Sequence, residues 1–399
     1  MPKAIIVGGG IGGLTAALAF HAFGWKVELV ERASQLREVG AGIQISPNGM
    51  KVFRALRLED EISKNAFQPE ALEMRFGRSG KQIFQIEARR AIIERWGAPY
   101  LHLHRADLVE TLTTLLARRQ PNALRLGTVC TGYENHADGI AAQLDTGDTI
   151  DGDLLIGADG IHSAIRTQML GPEQPEFTGN VAWRAVVPMT RLGDLAPPPT
   201  ACVWVGAKRH AVTYRLRGGA LANFVGIVES DTWTSESWTE QGNKQDVLDD
   251  FAGWHPILQN MIEQSDAHYR WALFDRQPLN QWSDGRAVLL GDACHPTLPF
   301  QAQGAVMAIE DAYLLAKLAA EAPKNLSAAL ATYFETRQPR TSQVQAASRA
   351  NAKLFHRRTP LSRALTYGPM WLASKIAPGV IRSRQDPFYA YDVREEPLR

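Results

Sequence analysis

Two sets of residues in this chain could do chemistry. Gly8, Gly10 and Gly13 form a Gly-x-Gly-x-x-Gly run after an apolar stretch, and Glu31 closes the next apolar stretch. Glycines let the backbone approach a diphosphate. A helix opening there offers free N–H groups and a positive partial charge, and a carboxylate ending the next strand can accept hydrogen bonds from a ribose hydroxyl pair. The spacing predicts a dinucleotide site, although a tight turn that merely packs a helix on a sheet would use the same glycines. Further on, Asp292 follows another apolar run, where a carboxylate can hold a sugar hydroxyl or cap a helix. Gly304 and Ala305 open a helix whose N-terminus can face developing negative charge. The second set is His210 and Tyr214. Residues i and i+4 of a strand share a face, so these side chains project together with Val212 between them. Histidine titrates near neutral pH and can deprotonate a ring hydroxyl, making the ring electron-rich. A core histidine and a tyrosine packed in a sheet would have the same spacing.

The elements that must position these residues follow from periodicity. Strand Ala4–Val7, helix Ile11–Phe23 and strand Lys26–Glu31 make a βαβ unit around the glycines. A hairpin turns at Arg78-Ser79-Gly80-Lys81 within Arg75–Ile86, and Arg105–Arg118 is helical through Leu108, Leu112, Leu115 and Leu116. Leu124–Ile150 reads as a small antiparallel meander, and Leu154–Ile156 as a short buried strand entering Gly157-Ala158-Asp159-Gly160. From Pro172 to Arg276 the chain is rich in Trp, Val, Thr and Phe, which predicts an inserted β layer. Here Trp183 and Arg184 are adjacent on a strand, so only one of them lines a pocket. Ala287–Leu290 returns to a buried strand, Gly304–Ala320 is a helix, and Leu326–Ala377 is largely helical.

Composition bounds the function. The chain has 399 residues, enough for two joined domains, and 45% hydrophobic with 21% charged residues is ordinary for a soluble protein. Forty-three Lys and Arg against 42 Asp and Glu leave no basic field to attract nucleic acid. Cys130, Cys202 and Cys294 are far apart with no CxxC pair, so no metal site or disulfide framework is expected, and the count suits a reducing cytoplasm. Ala4–Trp25 lacks full charges, but its glycines argue for a buried strand-turn-helix rather than a signal peptide or membrane span.

Two further segments separate FAD from NAD. Asp159-Gly160-Ile161-His162-Ser163-Ala164-Ile165-Arg166 resembles the D-G-x-x-S-x-x-R segment of flavoprotein aromatic hydroxylases, and Gly291-Asp292-Ala293-Cys294-His295-Pro296-Thr297-Leu298-Pro299 resembles their G-D-A-x-H-x-x-x-P segment. With the N-terminal glycines, this is the motif triplet of the class A, single-component FAD-dependent monooxygenases. The resemblance spans nearly the whole chain and is nearest to the salicylate hydroxylase, 3-hydroxybenzoate 6-hydroxylase and 6-hydroxynicotinate 3-monooxygenase groups.

The resemblance implies an α/β (α+β) fold. A Rossmann-like FAD-binding domain (1–72, 98–171 and 280–345) would carry an inserted β-sheet substrate domain (73–97 and 172–279) and a C-terminal helical segment and tail (346–399). It makes Asp159 and Arg166 part of an FAD and nicotinamide site with Arg166 as anchor. It also makes Arg105 an FAD contact and aligns Arg37 and Gly42 with the loop along the flavin. His210 and Tyr214 match the HxxxY pair that meets the substrate hydroxyl. Pro299 shapes the wall where relatives carry a polar residue, which argues against 3-hydroxybenzoate itself. His295 is assigned a structural place, and Arg184 and Arg215 are the candidates for a substrate carboxylate.

The implied enzyme holds FAD tightly and takes electrons transiently from NADH or NADPH, since no second dinucleotide unit is present. It uses O2 through a flavin C4a-hydroperoxide to hydroxylate a small phenolic or hydroxylated heteroaromatic acid, with or without decarboxylation. It would work in the cytoplasm as a monomer or homodimer, without nucleic acid or membrane partners. The rival readings are a flavin monooxygenase for a larger non-phenolic substrate, and, from another class, an NAD-dependent dehydrogenase or non-catalytic nucleotide-binding protein.

Overall fold

A strand apolar on both faces must be covered on both. In the computed structural model, which describes residues 1–36, 42–231 and 241–396, the strand Lys3–Val7 buries Ala4, Ile5 and Ile6 completely. It is central in a six-stranded sheet ordered Ser283–Asp284, Ala287–Leu289, Leu154–Gly157, Lys3–Val7, Lys26–Glu31, Leu124–Leu126. All neighbours run parallel except the first pair. Helices Ile11–Ala22, Gly304–Glu321 and Arg105–Arg119 cover this sheet.

Leu124–Leu126 corrects one expectation. It pairs with Lys26–Glu31 in the parallel sheet and does not open the meander, which is confined to Cys130–Asn135, Ile140–Leu144 and Thr149–Gly152. A strand that returns from a covering helix, here Arg105–Arg119, closes a parallel crossover, and a three-residue run carries no periodicity to announce that.

The second sheet has seven strands, ordered Tyr269–Asp275, Glu176–Pro188, Leu221–Glu229, Arg209–Leu216, Ala201–Gly206, Ala71–Phe76, Gln82–Glu87. Its pairs are antiparallel except Ala201–Gly206 with Ala71–Phe76. Residues 71 and 72 belong to this sheet, so a division after residue 72 falls inside a strand. One face packs Trp183, Trp204 and Phe224 against Phe251 and Trp254, beside helices Lys244–Asp250 and Pro256–Glu263. By the two-residue alternation of a strand, the opposite face of Arg209–Leu216 carries His210, Val212 and Tyr214. The C-terminal helix Leu326–Phe355 ends before Pro360, which starts helix Pro360–Ile376 behind a Thr359 capping box. Phe355, Tyr367 and Met370 from these helices pack on the second sheet. Among the described residues, no helix is long and apolar enough to cross a membrane.

Candidate active site

The glycine turn separates into two jobs. Gly8 has φ +108°, and a Cβ there would lie 2.4 Å from the Ala158 carbonyl oxygen, while one on Gly13 would lie 1.9 Å from the Gly8 oxygen. Both glycines serve packing. A Cβ on Gly10 would meet nothing within 4 Å, and the residue faces a cavity of about 360 Å³. Arg105, Gly42, Asp292, Gly304 and Ala305 line the same cavity, so the sheet ends converge with three helix N-termini, at Ile11, Arg105 and Gly304. Asp292 is exposed inside this cavity, yet lies deep enough for burial to raise its carboxyl above the ordinary range.

Three predicted residues stand elsewhere. The Glu31 carboxylate accepts from the Gly9 N–H at 2.6 Å and the Ala33 N–H at 2.8 Å, bracing the glycine turn. Asp159 accepts from the Ala164 N–H at 2.8 Å with one carboxylate oxygen, while the other is buried with no partner, and burial raises the group. Arg166 does not line the cavity. It is buried and donates to the carbonyls of Ile161 at 2.9 Å and Ala293 at 3.3 Å, which staples the two motif loops together. Its guanidinium is already engaged by protein, because both motifs need their backbones held in register. Arg37 lies outside the described residues.

The residues present fit a bound FAD. Gly10 offers backbone to open space, Asp292 presents a carboxylate in the cavity, and Asp159 keeps an orphaned buried oxygen beside the Ala158–Ile161 rim.

A second cavity of about 330 Å³ lies behind the first, sharing Gln44, Val212, Val225, Pro299 and Ala302 as a common wall. Ala302 in that wall has φ +53°, a left-handed conformation unusual for a residue with a Cβ and of a kind that gathers at functional sites. The predicted pair divides here. His210 lines the second cavity, whereas Tyr214 lines the first and lies against Gly42, where a Cβ would come within 2.5 Å of its ring. Both point from one sheet face as expected, but the strand is long enough to serve two chambers. Pro299 lines both. Of the adjacent pair, Arg184 lines the first cavity with its guanidinium 4.1 Å above Trp271, while Trp183 faces away and donates to Asp250 at 2.7 Å. Arg215 is held by the Pro197 carbonyl at 2.7 Å and lines neither cavity.

The second cavity is mostly apolar, with Met74, Ile86, Ile227 and Phe300 among its walls. Its polar groups include three that sequence reasoning gave no role: Tyr100, Asn351 and Arg384. Tyr100 donates to Gln44 at 2.7 Å. Arg384 is the arginine lining this cavity among the described residues. It comes from the C-terminal segment, and no local pattern announces it. His210 is buried, and its Nδ1 lies 2.7 Å from Nε2 of His356. Burial, then the neighbouring His356, push the His210 imidazolium well below its usual range, so His210 is neutral at pH 7.

His295 takes the structural place expected of it. Its Nε2 lies 2.6 Å from Asp311, which also accepts from Arg337 at 2.7 Å, and Arg337 meets Glu310 at 2.7 Å. Burial alone would raise the Asp311 carboxyl, but His295 and Arg337 together hold it low. Glu310 in turn accepts from Asn48 at 2.6 Å, and Gln303 joins Asn48 to Ser46. Cys294, His295 and Asp311 bring ligand-type atoms within 4.8 Å of one another, but Arg337 already supplies the positive charge there.

A family model described as the FAD binding domain matches residues 2–348. The chain is 36% identical to 6-hydroxynicotinate 3-monooxygenase of Pseudomonas fluorescens over 357 residues, covering 88% of this chain and 92% of that one. It is 35% identical to 3-amino-4-hydroxybenzoate 2-monooxygenase of Streptomyces platensis over 355 residues, covering 89% of each. Its fold matches the crystal structure of Klebsiella pneumoniae HpxO complexed with FAD and uric acid, with a TM-score of 0.84, 29% identity and 96% of each chain covered. With the family model spanning the glycine turn, both later motifs and most of the long C-terminal helix, the chain belongs to the FAD-binding family of flavin monooxygenases, enzymes that work with FAD, NAD(P)H and O2.

Proposed function

We propose that this enzyme hydroxylates a small phenolic or hydroxylated heteroaromatic carboxylic acid bound in the His210 cavity. The observation that carries this is a neutral, buried histidine facing a small apolar chamber that shares a wall with the cofactor cavity. Bound FAD supplies the redox chemistry, accepting a hydride from NAD(P)H and activating O2 for transfer to the ring.

The chain's own residues do the rest. Gly10, Arg105, Asp292 and the N-terminus at Gly304 and Ala305 would hold the tightly bound cofactor, with Gly8, Gly13, Glu31, Asp159 and Arg166 keeping their loops in shape. Gly42 gives Tyr214 room against the cofactor chamber. His210 takes the proton of the substrate hydroxyl at Nε2, the nitrogen not used by His356, and so leaves the ring electron-rich. Arg384 is suited to the substrate carboxylate, since a planar guanidinium matches it bidentately. Met74, Ile86 and Phe300 exclude water from the ring, and Pro299 keeps the shared wall apolar.

On this reading residues 1–70, 98–171 and 280–345 serve the cofactor, and 71–97 with 172–279 the substrate, the division falling before strand Ala71–Phe76. Three buried, unpaired cysteines suit the cytoplasm. The enzyme would act as a monomer or, through the exposed Leu361, Leu365 and Ile376 face of helix Pro360–Ile376, as a homodimer.

The test is NADH and NADPH oxidation by the FAD-loaded protein, with hydrogen peroxide assayed alongside, against salicylate, 3- and 4-hydroxybenzoate, 6-hydroxynicotinate and a ligand-free control. Strong stimulation by one acid with little peroxide is expected. No stimulation by any of them would overturn the small-acid reading in favour of a larger substrate.

A further inference from the structure

The His210 ring does not end in the core. His356 Nε2 lies 2.7 Å from His210 Nδ1, and His356 Nδ1 lies 3.2 Å from Glu229 Oε1. Glu229 is the last residue of strand Leu221–Glu229, its side chain is 25% exposed, and its other oxygen accepts from Arg358 at 2.6 Å. His356 directly follows the long C-terminal helix, so this line joins the second sheet, the C-terminal segment and the solvent.

The acceptor at one end decides every proton along the line. A carboxylate only accepts, so His356 must present Nδ1–H to Glu229. Its Nε2 then carries a lone pair and accepts from His210 Nδ1–H. That leaves a lone pair on His210 Nε2, the form needed to accept a proton in the cavity. We propose that His356 and Glu229 form, with His210, a relay that selects this tautomer and carries the substrate's hydroxyl proton to solvent. The substrate O–H breaks as His210 Nε2 gains the proton. His210 Nδ1 passes its proton to His356 Nε2, and His356 Nδ1 passes its own to Glu229 and on to water. No group changes oxidation state, and the cavity need not open. His210 otherwise faces Phe300 and Phe355, neither of which titrates. Besides Glu229, the charged groups facing His356 are Arg358 and Arg209; both oppose a standing charge on His356 and favour passing the proton on. Burial lowers the imidazolium of both histidines, which keeps them neutral between turnovers.

The proposal rests on His210 acting as the base, and the experiment separates the two ideas. His356→Leu, His356→Gln, Glu229→Gln and His210→Gln are each compared as FAD-loaded proteins. The readouts are flavin content, the pH profile of kcat, and the absorbance of bound phenolic substrate, which reports phenolate. His356→Leu should lower kcat at least about tenfold and move the onset of bound phenolate to higher pH, with flavin content unchanged. His356→Gln can still accept from His210 Nδ1–H but cannot pass a proton, so it should keep more of the phenolate signal than His356→Leu while kcat stays low. Glu229→Gln changes a partly exposed side chain and reads the same pH shift if His356→Leu does not fold. A normal pH profile and phenolate signal in the His356 and Glu229 variants, with His210→Gln impaired, would overturn the relay alone. A normal His210→Gln would overturn the base and the relay with it.

Discussion

The two cavities share a wall and are built in opposite ways. The motif side of the cofactor cavity is lined by backbone and small residues, Gly10, Gly12, Ala158, Gly160, Gly291 and Gly304. The chamber behind it is lined by side chains from strands Ala71–Phe76, Arg209–Leu216 and Leu221–Glu229 and from the C-terminal helices. A diphosphate is recognised by backbone N–H groups, which demands particular backbone shapes and so leaves glycines at set spacing. A ring is recognised by shape, one proton and one charge, which many side chains can supply from anywhere in the fold.

That contrast makes quantitative predictions. If backbone shape rules the cofactor cavity, Gly13→Ala, whose Cβ would meet the Gly8 oxygen at 1.9 Å, should cost more than about 4 kcal/mol and yield little flavin-bound protein. Gly10→Ala meets nothing within 4 Å and should unfold at the same temperature as the parent without FAD, losing affinity for FAD only. Equal thermal losses in the two apo variants would erase the distinction. In the second chamber a single side chain should matter without touching flavin. His210→Gln should cut coupled hydroxylation about 100-fold, worth about 2.7 kcal/mol, at full flavin content.

His102 is fully buried against Tyr100 of the second chamber and Tyr214 of the first, and burial lowers its pKa to about 3. Its unfolded value is near 6.5, so the unfolded chain binds this proton first as pH falls. Stability present above pH 6.5 should therefore drain by up to about 1.4 kcal/mol per unit from there toward pH 3, with His210 and His356 adding in the same direction. Urea midpoints measured from pH 7 to 5 should show the slope, and His102→Phe should flatten it. The smallest effect is expected in the shared wall. Ala302→Gly relieves φ +53° and should change stability by less than about 1 kcal/mol, yet raise the peroxide yield if this wall separates the two chambers during turnover.

Local pattern was enough for much of the fold. The βαβ unit around Gly8–Gly13 matches to within a residue, and helix Gly304–Glu321 starts where Gly304 and Ala305 place it. Their apolar periods are strong and their ends are marked by glycine. The misplacement of Leu124–Leu126 arose because strand partners are chosen by the sheet, not by the strand. Within the site, Asp292 and Gly304 were legible as cavity residues, whereas Arg166 carries a ligand-binding look and is spent on the Ile161 and Ala293 carbonyls. An arginine that binds a phosphate and one that ties two loops have the same neighbours in sequence.

By itself the sequence determined the cofactor half of this protein: a strand, a glycine turn and a helix, followed by two loops whose residue types suit a dinucleotide. It also determined that His210 and Tyr214 share a face, because a strand alternates whatever surrounds it. Only the tertiary structure decided that they serve different chambers, that Arg184 faces a cavity while Arg215 does not, that Arg384 reaches the chamber of His210, and that His356 stands behind that histidine. The reason is range. Backbone recognition is written within a few residues of chain, but the chamber is closed by segments far apart in sequence, and what they surround exists only once they pack.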